Sequence, residues 1–275
     1  MKKILSLVLV ALMLAAIAVP AFAAESGTSY GNVPKTSDKI TVDGKMDDVY
    51  KKGLAVKSLT KDTKGNAAAA SYTAYLVWNG KDTIYCYAEI VDPTYFDYTK
   101  LASVPNAWST DSLELFLDYS NKVARTRDQY RIDLLGKATY YDTKTYTNQE
   151  TAPFGFEGYA AAKTEKGYAV EFQIKAYKEA IAGNMKIGFH LMLNDMQADG
   201  KTRVNIDCDP CGNDPTKFGY ITLSNTSVTA VTTTAATTKA PAQKPASPAT
   251  FDAGIVMAVV SAVAGAGVVV SKKKH

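Results

Sequence analysis

The chain has 275 residues and a formal net charge of +4, but the charge is unevenly spread. Seven lysines and Asp252 lie outside residues 25–225, leaving that stretch with 24 basic against 26 acidic groups. A slightly acidic body without clustered Lys and Arg cannot replace phosphate counterions, so nucleic acid is excluded as a partner.

Residues 1–24 read as a secretory signal peptide: Lys2 and Lys3, an apolar run from Ile4 to Val19, Pro20, then the small residues Ala21 and Ala23 ahead of a cut. Residues 25–223 read as one folded domain, and between 39 and 223 the dominant period is two, with β-branched and aromatic residues in short runs between Gly, Asp, Asn and Pro. Strands are predicted at Lys39–Val42, Ser71–Trp78, Thr83–Val91, Ser112–Asp118, Gln129–Leu134, Ala138–Asp142, Ala160–Lys163, Tyr168–Ile174, Lys186–Asp195 and Tyr220–Leu223. Asn79-Gly80 with Lys81-Asp82 supplies a hairpin turn between two of them. Helix is expected only over Lys175–Ala182 and in one turn at Met46–Lys52. So many short strands predict an all-β fold, an antiparallel β-sandwich or open barrel.

Residues 224–252 are rich in Thr, Ala and Pro and carry too little apolar surface to fold, which predicts a linker. Residues 253–275 hold an uncharged apolar stretch, Ala253 to Val270, closed by Lys272-Lys273-Lys274-His275. This is expected to anchor the chain at a cell surface, with the lysines cytoplasmic. The tail also resembles sortase sorting signals, Pro248-Ala249-Thr250 preceding the apolar run, although Phe251 stands where those signals usually place Gly. The expected location is therefore extracellular, on the surface of a Gram-positive-type bacterium, attached to cell membrane or cell wall.

There is no Gly-rich phosphate loop and no βαβ rhythm, which removes nucleotide-dependent enzymes from consideration. Cys86 lies within an apolar strand and reads as a core residue. Cys208 and Cys211 form a lone C-x-x-C, read first as a loop disulfide or two thiols and second as metal or redox chemistry, because the other half of a zinc motif is missing and His190 is the only non-terminal histidine.

The informative segment is Trp108-Ser109-Thr110-Asp111-Ser112-Leu113-Glu114-Leu115-Phe116-Leu117-Asp118. Its leucines share one strand face and Glu114 projects from the other. In Gln129-Tyr130-Arg131-Ile132-Asp133-Leu134 the alternation turns Arg131 away from the core too. If the strands are neighbours, Glu114 and Arg131 stand side by side on a polar face near an exposed Trp108. An indole can stack on the C–H side of a pyranose while a carboxylate accepts from, and a guanidinium donates to, its hydroxyls. The competing account is a surface cross-strand ion pair beside a partly buried tryptophan.

The ordered set Ile40-Thr41-Val42-Asp43-Gly44-Lys45-Met46-Asp47-Asp48, Ala74 to Trp78, Asp92-Pro93, Trp108-x-x-Asp111-Ser112-Leu113-Glu114, Tyr130-Arg131-Ile132, Gly167 to Glu171, Asn194-Asp195 and Asp214-Pro215-Thr216-Lys217-Phe218-Gly219 resembles carbohydrate-binding module family 9 over roughly residues 38–223. The resemblance implies a β-sandwich of the DOMON-like kind. It also implies a polysaccharide or oligosaccharide partner held between two tryptophans above charged groups, with no catalysis. Trp108 matches the first tryptophan, Glu114 the carboxylate and Arg131 the arginine. The second tryptophan should fall where Cys211-Gly212-Asn213 stands, and Met192 occupies the place of a polar sugar-contacting side chain. Tyr140, Tyr141, Tyr146 or Phe154 are the aromatics expected to substitute. The family commonly holds structural calcium, for which Asp43, Asp47, Asp92 and Asp97 offer oxygens.

Three rivals follow from the same residues. A glycoside hydrolase would use Asp111, Glu114 or Asp118, but Arg131 would hold Glu114 ionised rather than acidic. A haem domain would use His190 and Met192, but two same-strand neighbours cannot ligate from opposite sides of the iron, and both read as core residues. A surface adhesin or assembly protein would have given the sugar face over to protein.

Overall fold

The computed structural model describes residues 27–229 apart from 95, 97, 99–106, 122–127, 143–146, 150–154, 178 and 212–213. The signal peptide, most of the linker and the anchor lie outside the described residues. Among the described residues no helix is long and apolar enough to cross a membrane.

Among the described residues thirteen strands make the fold: β1 Ser29–Lys35, β2 Leu54–Lys57, β3 Ser71–Trp78, β4 Thr83–Val91, β5 Ser112–Asp118, β6 Asp128–Asp133, β7 Ala138–Asp142, β8 Thr147–Gln149, β9 Phe156–Thr164, β10 Gly167–Lys175, β11 Lys186–Met196, β12 Arg203–Asp207 and β13 Gly219–Ser227. They form one continuous sheet in the order β8-β7-β6-β5-β11-β13-β1-β3-β4-β10-β9, with β12 added to β11 and β2 to β3. The sheet folds over on itself. Tyr72 of β3 donates to the Leu191 carbonyl of β11 at 2.9 Å, and Tyr130 of β6 packs on Phe156 of β9 with ring centroids 5.3 Å apart. The two arms thus enclose one apolar core that draws Leu113, Leu115, Leu117, Ile132, Leu191 and Ile206 from one side and Leu76, Cys86, Val170 and Phe172 from the other. Burying each such side chain stabilises the fold by about 1.5–3 kcal/mol, so alternation in these strands fixes which face turns inward.

The arrangement is a mixed β-sandwich rather than a wholly antiparallel one. β1 runs parallel to both β13 and β3. It reaches them from the N-terminal end without a hairpin, so no tight turn dictates its direction. Sequence reading missed β1, which contains Gly31 and Pro34, both weak strand formers. Lys39–Val42 is not a strand. Lys175–Ala182 is not helical: Lys175 ends β10, and residues 176–182 form no helix where they are described. The turn at Met46–Lys52 is present as a 3-10 helix, Asp48–Lys52. The Asn79-Gly80 turn joins β3 to β4 as expected, with Gly80 at φ +77°.

The Asp43-Gly44 segment closes over the outer face of the β3–β4–β10 arm. Glu171 accepts the Asp43 and Gly44 amides, each at 3.0 Å, and the Tyr50 hydroxyl at 2.9 Å. Gly44 adopts φ +77°, where a side chain would also crowd the Ala161–Ala162 backbone at 3.0 Å.

Candidate functional site

The opposite arm carries the polar face. Antiparallel register aligns Thr139 of β7, Arg131 of β6, Glu114 of β5, Met192 of β11 and Asp207 of β12 in one row. On one side lies a row with Asp133, Ser112, Asn194 and Asn205; on the other, Tyr141, Gln129, Phe116 and His190. Residues two apart on a strand are about 7 Å apart, so the three rows form a compact patch.

Glu114 and Arg131 meet as expected. Arg131 donates from Nε to Glu114 Oε1 at 2.6 Å and from Nη1 to Thr139 Oγ1 at 3.0 Å. Asn194 Nδ2 donates to the same Glu114 oxygen at 2.7 Å and Gln129 Nε2 to the other. The expectation of a pair open to water is corrected. Glu114 is 2% and Arg131 4% exposed, and every residue of β5 is buried. A central strand flanked by β6 and β11 has no free edge, and the polar side chains fill their own face by bonding to one another.

Trp108 is 41% exposed, on a 3-10 turn, Ala107–Ser109. Ser112 Oγ donates to the Ala107 carbonyl at 2.7 Å and accepts from Asn194 at 3.0 Å, tying that turn to the Glu114 network. The Arg203 guanidinium lies 5.6 Å from the centre of the Trp108 ring, and Arg203 Nη1 donates to the Trp108 carbonyl. Trp78, the chain's other tryptophan, is 1% exposed and donates to the Ser224 carbonyl, so it is a core residue.

The 208–211 loop borders the far side of the patch. Cys211 packs with Phe116, Met192 and Phe218, across the Glu114 row from Trp108. Tyr140 is not a substitute for the missing indole: it is fully buried on the core side, where it donates to Asp128 at 2.7 Å. Tyr141 shares the polar face beside Gln129. Tyr146 and Phe154 lie outside the described residues.

His190 and Met192 are both buried, but on this polar face and not in the main core. His190 stacks on Phe218 with centroids 4.8 Å apart. Its Nε2 lies 3.6 Å from Asp207, and its Nδ1 faces both Cys208 and Cys211. Burial alone would lower its pKa, but Asp207 and the two thiols outweigh that and push it up to about 12. Cys208 and Cys211 carry thiols beside His190, and Cys86 is a core residue as expected.

Of the four carboxylates expected to offer oxygens to calcium, Asp43, Asp47 and Asp92 are among the described residues. Asp43 serves the Gly44 turn, and the Thr41 amide donates to Asp47. Asp97 lies outside the described residues. Asp92 instead joins Asp111 and Asp195, all buried, with one oxygen from each within 4.8 Å of the others. Asp111 accepts the Met196 amide at 2.6 Å and the Phe96 amide at 3.1 Å, whereas Asp195 Oδ1 has no hydrogen-bond partner. Burial, reinforced by neighbouring aspartates, pushes Asp111 up to about 7 and Asp195 up to about 6. Three crowded hard oxygens with an unsatisfied member fit a calcium ion. Asp118 accepts from Ser120 in a turn, and Asp111 belongs to this cluster, so neither forms a catalytic pair with Glu114.

Sequence reading missed Gln129, Thr139, Asn194, Asn205 and Arg203. Gln129 was accessible, two residues before Arg131 and hence on the same face. Asn194 and Arg203 depend on the pairing of distant strands.

A β-sandwich bearing a carboxylate, a guanidinium and amides on one face, with an exposed indole at its edge, is the architecture of a sugar-binding module. The pattern of the family described as "Carbohydrate family 9 binding domain-like" matches residues 42–226, and the chain belongs to that family of binding modules. It is 31% identical over 191 residues to exoglucanase XynX of Acetivibrio thermocellus and 32% identical over 192 residues to endo-1,4-beta-xylanase C of Paenibacillus barcinonensis. Each match covers 66% of this chain and 16% of the relative, so the chain spans only about a sixth of those enzymes. The fold is similar to that of a family 9 module from Caldicellulosiruptor kristjanssonii solved with cellotriose, at TM-score 0.55 and 20% identity over 70% of this chain and 94% of that one. A family 9 module from that organism solved with glucose gives TM-score 0.54 at 20% identity.

Proposed function

We propose that the chain is a non-catalytic saccharide-binding protein displayed outside the cell, with Trp108 as the stacking plate, Glu114 as hydroxyl acceptor and Arg131 as donor. The observation that carries this reading is the Glu114–Arg131 pair, held by Gln129 and Asn194 on a face whose edge is the exposed Trp108. Arg131 commits Nε and Nη1 to protein partners, and Nη2 is the edge assigned to the sugar. Because the polar pair forms a floor, a bound ring meets it from above while its C–H side lies on the indole. The relative solved with cellotriose supports β-glucan oligosaccharides as the first class to try.

With Cys211 in place of a second indole, one sugar face gains less apolar contact, and a single plate must offset the entropy of fixing a flexible chain. Affinity is expected to be weak and raised by display of many copies on one cell. Asp92, Asp111 and Asp195 are the residues assigned to a structural calcium, whose charge would offset their mutual repulsion. Titration of the purified protein with glucose, cello-oligosaccharides and xylo-oligosaccharides, alongside Trp108→Ala, tests the reading.

A second reading is favoured by the burial of Glu114 and Arg131: a surface adhesin or assembly protein whose polar network is structural. It predicts normal folding with no glycan affinity in any member of that series.

A further inference from the structure

The 208–211 loop and β11 bring together a donor set that the sugar reading does not use. His190 Nδ1 lies 3.3 Å from Cys211 Sγ, 3.5 Å from Cys208 Sγ and 3.7 Å from Asp209 Oδ1. The ligating atoms of His190, Asp209 and Cys211 all fall within 4.8 Å of one another. A tetrahedral zinc ion with Zn–S of about 2.3 Å and Zn–N of about 2.05 Å needs ligand-to-ligand edges of about 3.5 Å, which the three separations from Nδ1 match.

The surroundings are those of a metal site. Asp207 is 2% exposed, and neither of its carboxylate oxygens has a hydrogen-bond partner, yet one stands 3.6 Å from His190 Nε2. Once Nδ1 gives up its proton to an incoming ion, a carboxylate there holds the Nε2 proton and leaves the Nδ1 lone pair facing the thiols, the usual arrangement behind a metal-bound histidine. Phe218 stacks on the imidazole and fixes its plane. Cys208 Sγ accepts the Leu191 amide at 3.3 Å and contacts the Tyr30 hydroxyl at 3.0 Å. Two clefts, of about 380 and 210 Å³, both border Pro210 and Cys211 and give a cation a route from solvent.

We propose that His190, Asp209 and Cys211 bind a zinc ion, with Cys208 turning in from beside His190 as fourth donor. Mixed nitrogen, sulfur and oxygen donors select zinc over the hard cations suited to Asp92, Asp111 and Asp195. The ion exchanges for the thiol protons and the Nδ1 proton of His190, and pins the 208–211 loop against Phe116 and Met192, along the edge of the polar face.

The test uses the purified protein with its thiols reduced, stripped of metal and supplied with excess calcium, then titrated with Co2+ and Zn2+. One cobalt per chain is expected, with a thiolate charge-transfer band and the strong visible bands of tetrahedral cobalt, both displaced by zinc. Cys211→Ser should lose the charge-transfer intensity and weaken zinc at least tenfold while keeping the unfolding temperature of the metal-free parent. Asp207→Asn, which removes no ligand, should weaken zinc by about 10–100-fold. The proposal is overturned if reduced protein takes up no cobalt, as a protonated His190 alone would give, or if Cys211→Ser binds like the parent. It is also overturned if Cys208 and Cys211 are isolated as a disulfide that resists mild reductant.

Discussion

Arg131 donates its Nε–H to Glu114 Oε1 at 2.6 Å from the register position directly opposite, and both side chains are nearly inaccessible to water. A buried pair of this kind differs from the exposed cross-strand pair that the alternation suggests. Removing one partner strands a charge, at a cost of about 3–5 kcal/mol, whereas replacing both by apolar residues is often close to neutral. Arg131→Met should therefore unfold at markedly lower urea than the parent, and Glu114→Leu combined with Arg131→Met should recover much of the loss. Equal destabilisation in the single and double variants would show that the pair is not coupled. Saccharide binding should be absent from both.

Trp108 and Arg203 make a second separable unit. Trp108 is exposed, so Trp108→Ala should change stability by no more than about 0.5 kcal/mol. The loss in saccharide affinity should be about tenfold or more, as for an aromatic hot spot. Arg203→Ala removes the guanidinium beside the ring and should cost a smaller factor, about two- to fivefold, through loss of a cation–π contact worth about 0.5–1 kcal/mol. Calorimetric titration of the two variants checks the ranking.

Calcium should stabilise the protein through Asp92, Asp111 and Asp195. At a hundredfold excess over its dissociation constant, a ligand adds about 2.7 kcal/mol. For a domain of this size that corresponds to a rise in Tm of about 5–10 °C. Adding calcium back to metal-free protein should give that rise, and Asp195→Asn should reduce or abolish it. A parent whose Tm ignores calcium would remove the assignment.

Glu171 offers a pH signature remote from both candidate metal sites. Burial is the largest influence on it and raises its pKa above the ordinary 4.5, against the lowering effect of Tyr50 and the Gly44 and Asp43 amides. Above 4.5 the folded state therefore holds this proton more tightly than the unfolded one. Its contribution to stability is full below that value and is lost as pH rises through the folded pKa. As pH rises above the ordinary 4.5 and through the folded value, the parent should lose stability relative to Glu171→Gln, although the variant is weaker at low pH for want of a second acceptor. Parallel Tm curves over that range would contradict the assignment.

What could be read from the sequence followed physical range. β3, β4, β5 and β7 appear at their predicted limits because alternation and the Asn79-Gly80 turn are local signals. The neighbourly placement of Glu114 and Arg131 was legible from parity within two consecutive strands. Their burial was not, since it depends on β11, which joins β5 from far along the chain, Met192 opposite Glu114. The same limit hid the zinc-like cluster: a lone C-x-x-C and a lone histidine carry no mutual spacing rule, and only the β11–β12 pairing brings Cys208 and Cys211 to His190. Parity also places His190 and Met192 on the Glu114 face once β5 and β11 are known to pair, which is why reading them as core residues misassigned their side of the sheet.

The central claim is tested most directly by isothermal titration of the purified protein and its Trp108→Ala variant with cello- and xylo-oligosaccharides. The account predicts a weak, saturable heat for at least one of them in the parent and its loss in the variant, with unfolding curves that superimpose. Silence across both series in a well-folded parent, or equal binding by the variant, would contradict it.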